Sequence, residues 1–163
     1  MRGYADNTGT MSSGPGSIQD NTPVLCTIGY EGLSAGEFLE RLQSNKISCL
    51  VDVREVPLSR KLGFSAAQLR SALNGCGIEY VHMKQLGSPG EARKEFHAGG
   101  DFAAFSRAYE SHLSKVKREI DILAAVANEK PTAIMCYEKD VHRCHRGIIA
   151  SKLREMGFSI RDL

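Results

Sequence analysis

The feature that most constrains this chain is a set of short, continuous apolar runs separated by helix-length segments. Val24-Leu25-Cys26-Thr27-Ile28, Ile47 to Val53, Ile78 to Met83 and Thr132 to Met135 each read as a strand. They are unbroken rather than alternating, the pattern of strands covered on both faces. The intervening segments are amphipathic. Ser34, with Glu37 three residues on, makes a capping box ahead of Phe38, Leu39 and Leu42. Ser65 opens a second segment that carries Leu69 and Leu73 and stops at Gly75-Cys76-Gly77. Asp101 opens a helical region over 102–128 with one break, which Lys130-Pro131 ends. Ile148, Ile149, Leu153 and Met156 share one helical face after the fourth strand. This alternation predicts an α/β fold: a mostly parallel central sheet of four or five strands with helices on both faces. A fifth strand would start at Arg161-Asp162-Leu163, and 84–100, rich in Gly and Pro, reads as a long irregular connection.

Residues 1–22 offer almost nothing to bury and read as a disordered leader, leaving a single domain over 23–163. No run approaches the eighteen or so apolar residues of a membrane span, and the N-terminus lacks a signal-peptide core. Five cysteines, an odd number, do not make a disulfide framework, so a reduced, cytoplasmic protein is expected. A formal net charge of +2 argues neither for nucleic acid nor for a membrane surface.

In open parallel sheets, ligands bind beyond the carboxyl ends of the strands. Chemistry-bearing residues collect at those ends: Tyr30-Glu31, Asp52 to Arg60, His82, and Cys136 to Arg146. Cys136 ends the fourth strand and opens a polar loop leading to Cys144-His145-Arg146 and a helix. It reads as a nucleophile whose loop wraps an anion, with the helix N-terminus lowering its pKa, or as an inert buried thiol. Arg146 would be a two-pronged donor to the same anion. His145 is a general acid/base, an anion donor or a helix-start histidine bonded to backbone; Glu138 is a general base or an arginine partner. Arg54, Ser59 and Arg60 would join Arg146 in an anion-binding rim, with Asp52 anchoring their loop and Tyr30 and Glu31 contacting a ligand. Cys136, His142, Cys144 and His145 offer an alternative zinc set, although their crowding within ten residues departs from the usual paired spacing.

Four ordered motifs resemble the bacterial and archaeal family known as domain of unknown function 488. They are Thr27-Ile-Gly-Tyr-Glu31, Leu50-Val-Asp-Val-Arg54 with Pro57 and Ser59-Arg60, Gly77-Ile-Glu-Tyr80 with His82 and Leu86-Gly87, and Cys136-Tyr-Glu-Lys-Asp140 with Cys144-His-Arg146. The resemblance covers about Val24 to Gly157 and implies a soluble α/β domain, one that in some members carries a DNA-repair-like label. More distantly, the strand–Cys–loop–Arg–helix order is similar to rhodanese-like and cysteine-phosphatase domains. Their cradling loops are tighter, whereas nine residues separate Cys136 from Arg146 here.

The resulting expectation is an enzyme whose Cys/His/Arg site acts on an anionic small molecule or nucleotide, with sulfur or phosphoryl transfer as templates. No cofactor is expected, zinc being the alternative. Two other readings stand beside it: a nucleic-acid or nucleotide binding module, and a zinc-stabilised interaction domain.

Overall fold

The structure, a computed structural model, describes residues 22–163; apart from Thr22, the expected leader lies outside the described residues. Five strands, β1 (Val24–Gly29), β2 (Cys49–Asp52), β3 (Glu79–His82), β4 (Thr132–Cys136) and β5 (Ser159–Asp162), form one parallel sheet in the order β3-β2-β4-β1-β5. The fifth strand begins two residues earlier than Arg161, because Gly157 in a left-handed conformation ends the preceding helix and Phe158 turns into the core.

The side chains of the central strands divide by parity. Cys49, Val51, Val53, Ile134 and Cys136 face one core; Leu50, Ala133 and Met135 face the other. The first core is covered by α4 (Phe102–Lys115), α5 (Lys117–Glu129) and α6 (His145–Glu155), through Phe105, Tyr109, Leu123, Ile149 and Leu153. The second is covered by α1 (Ala35–Ser44) and α2 (Ala66–Gly75), through Phe38, Leu42, Leu69 and Leu73. Strands this apolar on both faces require helices on both sides, and the fold supplies them. The Ser34–Glu37 capping box forms as the sequence indicates. The break in the 102–128 region falls at Val116, which separates α4 from α5.

The connection over 84–100 is not irregular. It holds a 3-10 turn at Lys84–Leu86 and a two-turn helix, α3 (Gly90–His97). The glycines that flank this segment mask the good helix formers Glu91, Ala92, Arg93, Lys94 and Glu95 between them.

The topology also fixes where a cleft opens. Neighbouring β2 and β4 send their connections in opposite directions, β2 outward to β3 and β4 back across β1 to β5. At such a switch point the loops splay apart beyond the carboxyl ends of the strands. No helix among the described residues is long and apolar enough to cross a membrane.

Ile134 lies at the centre of the sheet and is fully buried. Ile134→Ala should cost about 2–5 kcal/mol, read as a lower urea midpoint at constant slope. Ile122→Ala, on the exposed side of α5, should stay within about 0.5 kcal/mol.

Candidate functional site

The loop leaving β4 is built around a guanidinium. Arg146, in the first turn of α6, has no solvent exposure. Its Nη1 donates to the carbonyl of Glu138 at 2.7 Å and to Cys136 Sγ at 3.1 Å; its Nη2 donates to the carbonyl of Lys139 at 3.2 Å and lies 3.5 Å from Asp162. Its Nε is buried without a hydrogen-bond partner. The loop can pass this close to β1 only because position 29 is glycine: a Cβ there would lie 1.9 Å from the Glu138 carbonyl oxygen.

The loop over 137–145, expected to wrap an anion to which Arg146 is a two-pronged donor, is arranged around Arg146 itself. An anion cradle turns N–H groups inward. Here carbonyls turn inward, and Arg146 itself fills the space they enclose.

Beside Arg146 lies a compact group of soft and hard donors. Cys136 Sγ and Cys144 Sγ both donate to Glu138 Oε2, at 2.9 and 3.2 Å. Cys144 is also the N-cap of α6, its sulfur accepting the Arg146 N–H at 3.4 Å. His145 Nδ1 lies 3.7 Å from Cys144 Sγ, while Nε2 lies 2.9 Å from the Val53 carbonyl. A carbonyl can only accept, so Nε2 carries the proton and the Nδ1 lone pair faces the sulfurs. Burial pushes the His145 pKa below its ordinary value, so the neutral imidazole is favoured. Burial likewise drives the Cys144 thiol well above its usual range. For Glu138, burial would raise the pKa, but hydrogen bonds led by that from Cys136 prevail and hold it below the ordinary carboxylate value.

One donor atom from each of Cys136, Glu138, Cys144 and His145 lies within 4.8 Å of the other three. His142, which the sequence grouped with the cysteines, is not among them. Asp140 accepts its N–H at 2.9 Å and caps the 3-10 turn Val141–Arg143, which turns His142 out to solvent. Glu138 stands where the zinc reading of the sequence had His142.

The exit of β2 carries a second buried network. Arg54 Nε and Nη2 donate to the two carboxylate oxygens of Asp52 at 2.8 and 2.6 Å, and its Nη1 donates to Tyr30 Oη at 3.0 Å and the Phe64 carbonyl at 2.9 Å. Tyr80 Oη donates to Asp52 at 2.7 Å. Burial opposes the Arg54 charge, yet the hydrogen bonds and charge of Asp52 outweigh it and raise its pKa. Burial, reinforced by Asp52, also raises the pKa of Tyr80.

Asp52 thus anchors the loop, also accepting the Arg54 backbone N–H at 3.1 Å, while Arg54 and Tyr30 line the cleft with their polar atoms engaged in this network. The Tyr30 ring is likewise occupied, stacked on Phe64 with centroids 4.4 Å apart. Glu31 accepts the Lys139 N–H at 2.9 Å and lines a separate hollow with Arg41, His142 and Asp162. His82 Nε2 lies 2.8 Å from the Arg54 carbonyl, a strand-end structural histidine.

Between these two networks lies a cleft of about 630 Å³. It is lined by Cys136, Glu138 and His145, by Tyr30 and Arg54, and by Ser59, Arg60, Lys61, Arg93 and His97. Ser59 and Arg60 were legible in the sequence, whereas Lys61, Ser88, Arg93 and His97 were not. The signal for Arg93 was the run of helix formers after Pro89, which puts it on α3. Arg93 pairs with Glu55 at 3.3 Å and Lys61 Nζ donates to the Tyr30 carbonyl at 3.1 Å. Arg60 is exposed and has no ion-pair partner among the described residues.

A family model described as "Domain of unknown function DUF488" matches residues 34–153, which takes in both networks except Tyr30 and Asp162. No curated protein and no solved structure matches the chain.

The Asp52–Arg54 pair tests whether the cleft wall is a structural element. Removing one member of a buried pair strands the other charge, so Asp52→Ala should destabilise the protein by about 3–5 kcal/mol. Ser59→Ala on the same loop should change stability by less than about 0.5 kcal/mol; thermal unfolding of both variants makes the comparison.

Proposed function

The chain belongs to the domain of unknown function 488 family, and from the geometry of its cleft we propose that it is an enzyme acting on a small anionic substrate. One observation carries this reading. Cys136, Glu138 and His145 line one cleft together with Arg60, Lys61 and Arg93. The volume suits a small molecule, and the cationic side supplies the attraction and orientation that an anion needs.

Of the two templates, sulfur transfer and phosphoryl chemistry, the second is favoured. A persulfide route requires a sulfur that a second sulfur can reach, and Cys136 is 1 % exposed with Glu138 and Arg146 against it. The substrate is therefore a phosphoryl-type anion. Its charge rests on Arg60, Lys61 and Arg93, and its reacting centre is turned toward Glu138 and His145, whose Nδ1 is the remaining acceptor. Five free thiols fit a reducing compartment, and a cytoplasmic site of action goes with this reading.

Titration with inorganic phosphate followed by amide NMR should move the signals of Ser59 to Lys61 and of Arg93, and the Arg60→Ala/Arg93→Ala double variant should weaken binding at least about tenfold, as for the loss of charge-assisted contacts. Hydrolysis of p-nitrophenyl phosphate should fall by at least about a hundredfold in Glu138→Gln. Undiminished phosphate binding in the double variant, or undiminished hydrolysis in Glu138→Gln, would overturn the reading.

A second reading, recognition of a nucleic-acid chain, has its own observation. On the loop that carries Arg60 and Lys61, Val56, Leu58 and Leu62 stand 50 %, 74 % and 82 % exposed. Aliphatic side chains beside cations can make apolar contacts to bases while the cations meet the phosphate backbone. Oligonucleotide binding that falls steeply between low and physiological salt, and that is lost in Leu58→Ser/Leu62→Ser, would establish it. Absence of binding at low salt would remove it.

A further inference from the structure

We propose that Cys136, Glu138, Cys144 and His145 together hold a divalent cation of the zinc kind at the carboxyl edge of β4. This goes beyond the enzymatic reading: an ion would be bound there whether or not the cleft turns over an anion, and with it in place Glu138 and the His145 Nδ1 are its ligands rather than free acceptors.

The first argument is geometric. Zinc takes four N, O or S donors in a tetrahedron, with bonds of about 2.0–2.3 Å. Neighbouring donors in such a shell lie about 3.3–3.8 Å apart, from simple trigonometry on those bonds. The separations here are 2.9 Å from Cys136 Sγ to Glu138 Oε2, 3.2 Å from Cys144 Sγ to the same oxygen, and 3.7 Å from Cys144 Sγ to His145 Nδ1. All four donors fall within 4.8 Å of one another. Small rotations of the Glu138 side chain, which is only partly buried, would complete the shell.

The second argument concerns the groups behind the donors. A metal-bound histidine has its other ring nitrogen held by a carbonyl or carboxylate, which fixes the tautomer and aims the lone pair. His145 meets that condition through Nε2 and the Val53 carbonyl at 2.9 Å. The Cys144 sulfur also accepts the Arg146 backbone N–H at 3.4 Å, a bond that favours a thiolate over a thiol.

The third argument is charge. Two thiolates and one carboxylate carry three negative charges, and a divalent cation leaves one. The Arg146 guanidinium, fully buried and 3.1 Å from Cys136 Sγ, cancels it. Without an ion, the same four groups form a thiol–carboxylate cluster in which Cys136 and Cys144 each give an S–H bond to Glu138. Binding then releases one proton from each thiol to solvent and forms two metal–sulfur bonds, with no change in oxidation state.

The chemistry selects the ligand class. Two sulfurs and an imidazole favour zinc over magnesium or calcium, which take all-oxygen shells. Cys136, Glu138 and His145 also line the cleft, so the ion would face any substrate that enters, and the Cys136 sulfur would act as its ligand.

The test is metal analysis of the full chain, purified and then dialysed against chelator, with zinc or cobalt added back. Near-stoichiometric zinc is expected. With cobalt, a thiolate-to-metal charge-transfer absorption should appear that weakens in Cys144→Ser and is absent in Cys136→Ser/Cys144→Ser. Glu138→Gln should weaken zinc binding at least about tenfold, and His142→Ala should leave it unchanged. Far-UV circular dichroism identifies any variant that fails to fold, and the Glu138→Gln and His142→Ala pair decides the matter if the cysteine variant does. Less than a tenth of an equivalent of zinc after add-back, or no charge-transfer band in the folded wild-type chain, would overturn the proposal. Equal loss in His142→Ala and Glu138→Gln would overturn the ligand assignment. Phosphate binding at Arg60 and Arg93 can be measured in the same Cys144→Ser sample, so loss of the ion and loss of the anion site are separable.

Discussion

A guanidinium with no access to water organises the carboxyl edge of this sheet. Burying a charge costs several kcal/mol unless its polar atoms are taken up, and Arg146 recovers that cost by drawing the Glu138 and Lys139 carbonyls and the Cys136 sulfur onto itself. The polar loop after β4 therefore closes over the edge of the sheet. Closing it brings Glu138 back over Cys136 and places Cys144 at the start of α6. Gly29 makes room on one side, and the Val53 carbonyl holds His145 on the other.

The Asp52–Arg54 pair does for β2 what Arg146 does for β4. Its polar contacts, to Tyr30, Tyr80 and the Phe64 carbonyl as well as within the pair, fasten the base of the 54–64 loop. Further along that loop Ser59, Arg60 and Lys61 line the cleft, Lys61 while donating to the Tyr30 carbonyl. Two buried arginines thus serve as anchors, and the side chains able to meet an anion are those left over. Gly87 performs a matching service from β3: a Cβ there would strike the Glu55 backbone nitrogen at 2.3 Å, and this close approach brings Arg93 of α3 within reach of the same cleft.

Much of this was legible in the sequence because it depends on local pattern. Unbroken apolar runs gave the strands and their two-sided burial; Ser34 and Glu37 gave a helix start; Cys136, Glu138 and His145 were readable as chemistry because they follow a strand end. The roles of Arg54 and Arg146 were not. An arginine's sequence neighbours do not say whether its guanidinium will face solvent or a ring of carbonyls, since those carbonyls come from backbone whose direction is set only when the loop closes.

By itself, then, the sequence determined the α/β class, the strand positions and the strand exits at which chemistry would lie, since each follows from the period and breaks of the hydrophobic pattern. Tertiary structure alone decided which arginine guanidiniums are tied into buried networks and which stay exposed. It also turned His142 outward and put Glu138 between two sulfurs, and it carried Arg93 to the site on a helix flanked by glycines. The physical reason is that a polar side chain takes the partners nearest to it in space. Those partners here come from β1, β2, β4 and α6, segments that are far apart in the chain and meet only at one edge of the folded sheet.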